Sequence, residues 1–269
     1  MRTETVDDQT NNQVDIQVDI NQPIDKPPSD EVQAQPYERM LSPDSVLPLL
    51  GKYGLLPQLR REMLIDEAIG AITCTEDEME AARQQFLEQN HITSDADLEA
   101  WLEQHYLTAE HLEEVATRRQ RIEKFKQVTW GAKVESYFLQ RKFQLDQVIY
   151  SLIRTRNWNT AQELYFRIEA GEQSFGELAR EYSEGSEAST DGLVGPVELS
   201  VPHPVLAQRL AASQPGHLHP PSRIGEWVVI VRMEKLLPAK FDDAMRQRLL
   251  NELFGRWLRG NLARLESAS

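Results

Sequence analysis

"SFGELAREYSEGSEASTDGLVGP", residues Ser174 to Pro196, changes character halfway along. Phe175, Leu178, Ala179 and Tyr182 recur at helical spacing, so the first half presents one apolar stripe. A run of small residues and glutamates follows, and then Gly192-Leu193-Val194-Gly195-Pro196. Two glycines three apart mark a backbone that must turn tightly or pass close to another segment. The stretch therefore predicts a helix, a surface link of Ser, Gly and Glu, and a tight turn into a sheet.

The neighbouring segments supply that sheet. "DQVIYSLIRT" (Asp146 to Thr155) is β-branched and aromatic, which predicts a strand. "TAQELYFRIEAGEQ" (Thr160 to Gln173) is an amphipathic helix stopped by Gly171, and "PHPVLAQRLAASQPGHL" is a short helix with a Pro-Gly turn. "EWVVIVRMEKL" (Glu226 to Leu236) reads as a second, buried strand. From Pro43 to about Arg141 the period is helical throughout. Leu56, Leu59, Met63, Leu64 and Ala68 form one stripe there, and Thr75 with Glu78 forms a capping box. The last segment, after Phe241, is a long helix with apolar positions at Met245, Leu249, Leu250, Leu253, Phe254, Trp257 and Leu258. The fold class expected is α+β: a mixed domain inserted between helices at both ends.

Composition narrows the function. The chain has 269 residues and a formal net charge of −14, which argues against nucleic acid as a partner. The single Cys74, just before the Thr75 cap, rules out an intramolecular disulfide framework and reads as a half-buried structural thiol. No stretch approaches the roughly 20 apolar residues that span a bilayer. The N-terminus lacks the basic start and apolar core of a secretory signal, so a cytoplasmic location is expected. Residues 1–36 are polar, acidic and free of aromatic side chains, the composition of a disordered tail. Within them "QVDIQVDI" (Gln13 to Ile20) alternates Val and Ile with polar residues. It reads either as repetition within a polar tail or as a docking strand for a protein partner.

His91, His105 and His111 lie in polar helix joints and are expected to be exposed, while His203, His217 and His219 straddle turns. No third ligand stands at metal-binding spacing, so neither a metal nor a cofactor is expected. "TRRQRIEKFK" is a basic run read as a solvated helix face making ion pairs.

The order strand, helix, helix, Gly-rich turn, short helix, Pro-Gly turn, strand resembles the parvulin family of peptidyl-prolyl cis-trans isomerases (rotamases). "FGELAREYSEG", "DGLVGPVEL" and "QPGHLHPPSRIGEWVVIVRMEK" carry the resemblance, which covers Asp146 to Leu236. The helical flanks look like the N-terminal module of SurA-type chaperone-isomerases, completed by a returning C-terminal helix. The implied organisation is a tail over 1–36, a SurA-like helical module over 37–141, a parvulin-like domain over 142–238, and a C-terminal helix over 239–269. That domain would be a small antiparallel sheet flanked by helices. Unfolded or proline-containing polypeptides would be the clients.

The resemblance also places a site. Parvulins set two histidines and a Cys or Asp beside an apolar prolyl pocket. Here the two histidine positions fall on Tyr150 and Trp227, and the Cys or Asp position falls on Leu193. Val201, Val205 and Leu206 fall on the pocket, with Ser151 and His219 as polar neighbours. These replacements leave two readings: an isomerase that assists protein folding, or a catalytically weak or inactive peptide-binding chaperone on the same fold.

Overall fold

The computed structural model describes residues 43–267; the 1–36 tail and the Gln13–Ile20 repeat lie outside them. The chain divides into two units, one ending at Pro57 and one running from Gln58 onward. In the first, helix α1 spans Pro43–Lys52. The expected boundaries at 141/142 and 238/239 fall inside the second unit.

Helices α2 (Leu56–Ile69), α3 (Glu76–Gln89), α4 (Asp95–Gln104), α5 (Ala109–Trp130) and α6 (Val134–Leu145) lead into the sheet, and α10 (Asp243–Ser267) follows it. Their starts are written locally. Thr75 and Glu78 close the expected capping box on α3, and Ser94 caps α4. Cys74 is partly buried. His91, His105 and His111 are exposed.

The C-terminal helix returns to pack on the helical region. Leu249 and Leu250 bury against Val134, Phe138 and Leu145, while Leu258 meets Ile65 and Ile69. The buried stripe of α2 is therefore not centred where its sequence predicts, since Met63 stays 61% exposed. Position against α5 and α10 decides the buried face, and an isolated helical wheel does not carry that information.

The basic run also differs in part from expectation. It makes ion pairs, as expected, but most of them reach other helices, and one of its lysines is not solvated. Arg118 bonds Glu62 and Asp66, Arg121 donates to the Ile69 and Ile72 carbonyls, and Lys124 reaches Glu78. Lys126 is buried, 2.7 Å from both Glu123 Oε1 and Asn251 Oδ1, with its ammonium over the Phe254 ring. Replacing Lys126 with Ala is expected to cost about 1.5–3 kcal/mol through the lost charge-assisted bonds. Urea unfolding of the chain measures this, and a midpoint unmoved within error would remove Lys126 as a clamp between α5 and α10.

The sheet has the order β2-β1-β4-β3 and every pairing is antiparallel. Its strands are β1 (Gln147–Thr155), β2 (Leu193–Glu198), β3 (Leu218–Ile224) and β4 (Trp227–Leu237). Between β1 and β2 lie α7 (Trp158–Glu169), α8 (Phe175–Tyr182) and a 3-10 turn over Ser186–Thr190; α9 (Pro204–Ala211) follows β2. The central pair β1 and β4 alternates between the two faces, with one bulge between Ile149 and Tyr150. Ile153, Val228 and Ile230 pack under α7 and α8 with Leu164, Phe175 and Leu178. Val148, Tyr150, Leu152, Val229, Val231 and Met233 face the other way, toward Leu206, Ala207 and Leu210 of α9.

Candidate functional site

The face of the sheet beneath α9 is apolar along its length, but α9 closes only part of it. Val148, Met233 and Leu210 are fully covered, whereas Leu152 and Val229 retain some exposure and Trp227 is only partly buried. Ile224 pairs with Trp227 across a two-residue hairpin turn. The least covered end of the face is therefore a strip in which Ile224 and Trp227 are partly exposed beside the nearly buried Leu152 and Val229.

A charged cluster borders this strip. Arg154 follows Leu152 on the same side of β1, opposite Val229. Its guanidinium lies 5.6 Å from the Trp227 ring centroid, and Arg156 lies 4.8 Å from the same ring. Arg154 Nη2 donates to Glu187 Oε2 at 2.7 Å. Glu187 is 5% exposed, and its other oxygen accepts from Ser183 Oγ at 2.6 Å. A Cβ at Gly185 would collide with the Arg154 guanidinium, so the side chain occupies space that only glycine leaves open. Burial, and after it the Glu187 carboxylate, raises the Tyr150 phenol above its ordinary value against the opposing charge of Arg154. Tyr150 therefore stays a protonated, neutral donor at ordinary pH.

Residues 154–235 match the Rotamase family, a PPIC-type PPIASE domain. The chain carries a parvulin-type isomerase domain. A solved PrsA isomerase from Bacillus cereus superposes with a TM-score of 0.50 at 14% identity, over 83% of this chain and 87% of that one. PrsA from Bacillus anthracis gives 0.42 at 16% identity, over 78% and 97% of the two chains. A SurA-like chaperone of Campylobacter jejuni gives 0.35 at 17% identity, over 72% and 84%. No curated protein matches the chain.

Within the isomerase domain the expected site residues do not converge. Tyr150 pairs with Met233, six residues along β4 from Trp227, so the two aromatics stand roughly 20 Å apart along the strand. They cannot flank one peptide bond as a pair. Ser151 and Leu193 are cross-strand partners, so their side chains share a face, and it is the one opposite Tyr150. Ser151 bonds Glu234 there, and Arg232, its partner on β4, lies over Phe175 of α8. Leu193 is 50% exposed on that side. The expectation of Leu193 and Ser151 beside Tyr150 is thus corrected by strand alternation. Leu206 is a core residue, while Val201 and Val205 are exposed at the edge of α9.

His219 does lie on the α9 side, opposite Val231. It bonds Ser213 Oγ and its ring meets His217 edge-on at 4.5 Å. Burial, then His217 and Arg209, lowers its pKa from the ordinary histidine value. Because the unfolded chain binds this proton more readily, the contribution of His219 to stability is complete above the ordinary histidine pKa. It is lost as pH falls through that value toward the depressed folded one. The urea midpoint is expected to fall between pH 7.5 and 5.5 more steeply in the parent chain than in His219→Gln. Equal slopes would sink the assignment.

Sequence reasoning missed Arg154 and Glu187. The Ser/Glu link was expected at the surface, yet Glu187 within it is buried. A carboxylate among small residues beside a helix end gives no sign of the arginine, 33 positions away, that neutralises it.

Proposed function

We propose that the domain isomerises X–Pro bonds of polypeptide clients bound at the strip of Leu152, Val229, Ile224 and Trp227, while the helical region holds the rest of the client. The carrying observation is an apolar, partly covered floor ending in an aromatic ring beside a fixed charged pair. Rotation about a prolyl bond needs no covalent step. Its barrier of about 18–20 kcal/mol is resonance energy that must be given up as the amide twists. An apolar floor seats the pyrrolidine ring and removes water, and a site matched to the twisted amide lowers the barrier.

Exchange spectroscopy on an Ala-Pro peptide with the full chain tests this reading. Cis–trans exchange well above background is expected. The absence of any acceleration overturns the isomerase reading. The roughly 20 Å separation of Tyr150 and Trp227 favours a second reading, peptide binding with weak turnover. That reading expects saturable peptide binding and suppressed aggregation of a refolding client without acceleration.

A further inference from the structure

We propose that Arg154 is the catalytic residue of the prolyl site, donating a hydrogen bond to the prolyl nitrogen as the bond twists, and that Glu187 is its positioning residue. This deepens the isomerase reading and rests on it.

The chemistry selects a donor of this kind. In a planar amide the nitrogen lone pair is delocalised into the carbonyl, and the nitrogen accepts hydrogen bonds poorly. At the twisted state the lone pair is localised, and the nitrogen becomes an acceptor. A donor aimed there binds the twisted state better than either planar isomer, which is the condition for catalysis. A donor on the carbonyl oxygen would instead reinforce resonance and slow rotation. No bond forms, and the proton stays on the guanidinium.

Three observations single out Arg154. It stands at the end of the strip, beside Leu152, opposite Val229 and against Trp227. Its orientation is fixed before a client arrives: Glu187 holds Nη2, Ser183 holds Glu187, and the missing Cβ of Gly185 makes room. Such pre-ordering removes the cost of organising a donor during the reaction. Finally, Arg154 Nε is the only buried side-chain nitrogen or oxygen without a partner among the described residues. An unmet buried donor costs about 1–3 kcal/mol, so the fold does not use the guanidinium's full hydrogen-bonding capacity, and the Arg154 side chain stays 32% exposed on the side a client can reach. Tyr150 can donate as well, but it lies deeper under α9 and carries no charge, and charge-assisted bonds are roughly twice as strong.

The experiment is exchange spectroscopy and steady-state kinetics on an Ala-Pro peptide with the full chain and its variants. Arg154→Gln is expected to lower kcat by about 10- to 100-fold with KM changed less than about threefold, and Arg154→Lys to recover part of the loss. Glu187→Gln, which keeps the shape but loosens the guanidinium, is expected to lower kcat by about 3- to 10-fold at constant KM. Because Arg154→Gln leaves a buried carboxylate unpaired, the neutral double variant Arg154→Met with Glu187→Gln serves as a second probe of a folded chain. It should lose as much as Arg154→Gln. An active parent chain with Arg154→Gln, or the double variant Arg154→Met with Glu187→Gln, within twofold of it overturns the assignment and leaves the isomerase reading standing. A parent chain without acceleration overturns both.

Discussion

Gly192→Val is expected to destabilise the isomerase domain by about 3–5 kcal/mol, lowering its urea midpoint to the edge of folding. Gly192 is buried at φ 80°, a conformation that a β-branched residue adopts only with strain. A Cβ there would stand 2.8 Å from Ala179 Cβ, 3.0 Å from the Leu152 carbonyl oxygen and 3.1 Å from the Phe175 ring. Helix α8 and strand β1 close on the glycine from two sides, so neither can retreat without opening the core under Phe175 and Leu178. The Leu152 amide also donates to the Gly192 carbonyl at 2.8 Å, and displacement would break that bond. Gly171→Ala is the control, since Gly171 has a similar φ of 71° but nothing within 4 Å of an added Cβ. It should cost only about 1 kcal/mol. Equal losses for the two variants would show that backbone conformation alone, and not close approach, requires glycine at 192.

The same glycine shows why much of this fold was legible. Phe175, Leu178 and Ala179 are spaced as a helix spaces them, and all three are buried in the cluster beneath β1 and β4. Strands β1 and β4 are central and covered on both faces, so they read as near-continuous apolar runs. The edge strands were another matter. Strand β2 contains Gly195 and Pro196, and β3 contains Pro220 and Pro221. These residues have poor strand propensity and are tolerated because an edge strand needs only one ladder of hydrogen bonds. Tertiary pairing with β1 and β4 makes them strands.

The site was less legible than the fold, for a related reason. Family positions identify residues one at a time, but the chemistry depends on register and on which way a side chain points. Register places Tyr150 against Met233 and not near Trp227, and alternation turns Ser151 and Leu193 away from the α9 face. Arg154 ends an apolar run and reads as the point where a strand leaves the core. Only the fold shows that its guanidinium turns back over Gly185 to a buried carboxylate.

Trp227→Ala is expected to weaken binding of a proline peptide by about 2 kcal/mol, close to 30-fold, with kcat/KM falling at least as far. The indole ends the apolar strip at the hairpin, and it is the aromatic surface that both Arg154 and Arg156 lie against. Truncation removes the wall of the strip and the ring contact of both guanidinium groups, while Glu187 still holds Arg154, so affinity should fall more than donor placement. Trp227→Phe keeps a ring and should recover most of the binding. Ser151→Ala and Leu193→Ala remove side chains from the opposite face and should leave kcat/KM within about twofold. A peptide titration followed by NMR, with exchange rates from the same samples, separates the cases. If Trp227→Ala binds as the parent does while Leu193→Ala loses affinity, the client lies on the α8 face of the sheet, and the strip at the end of β4 is not the prolyl site.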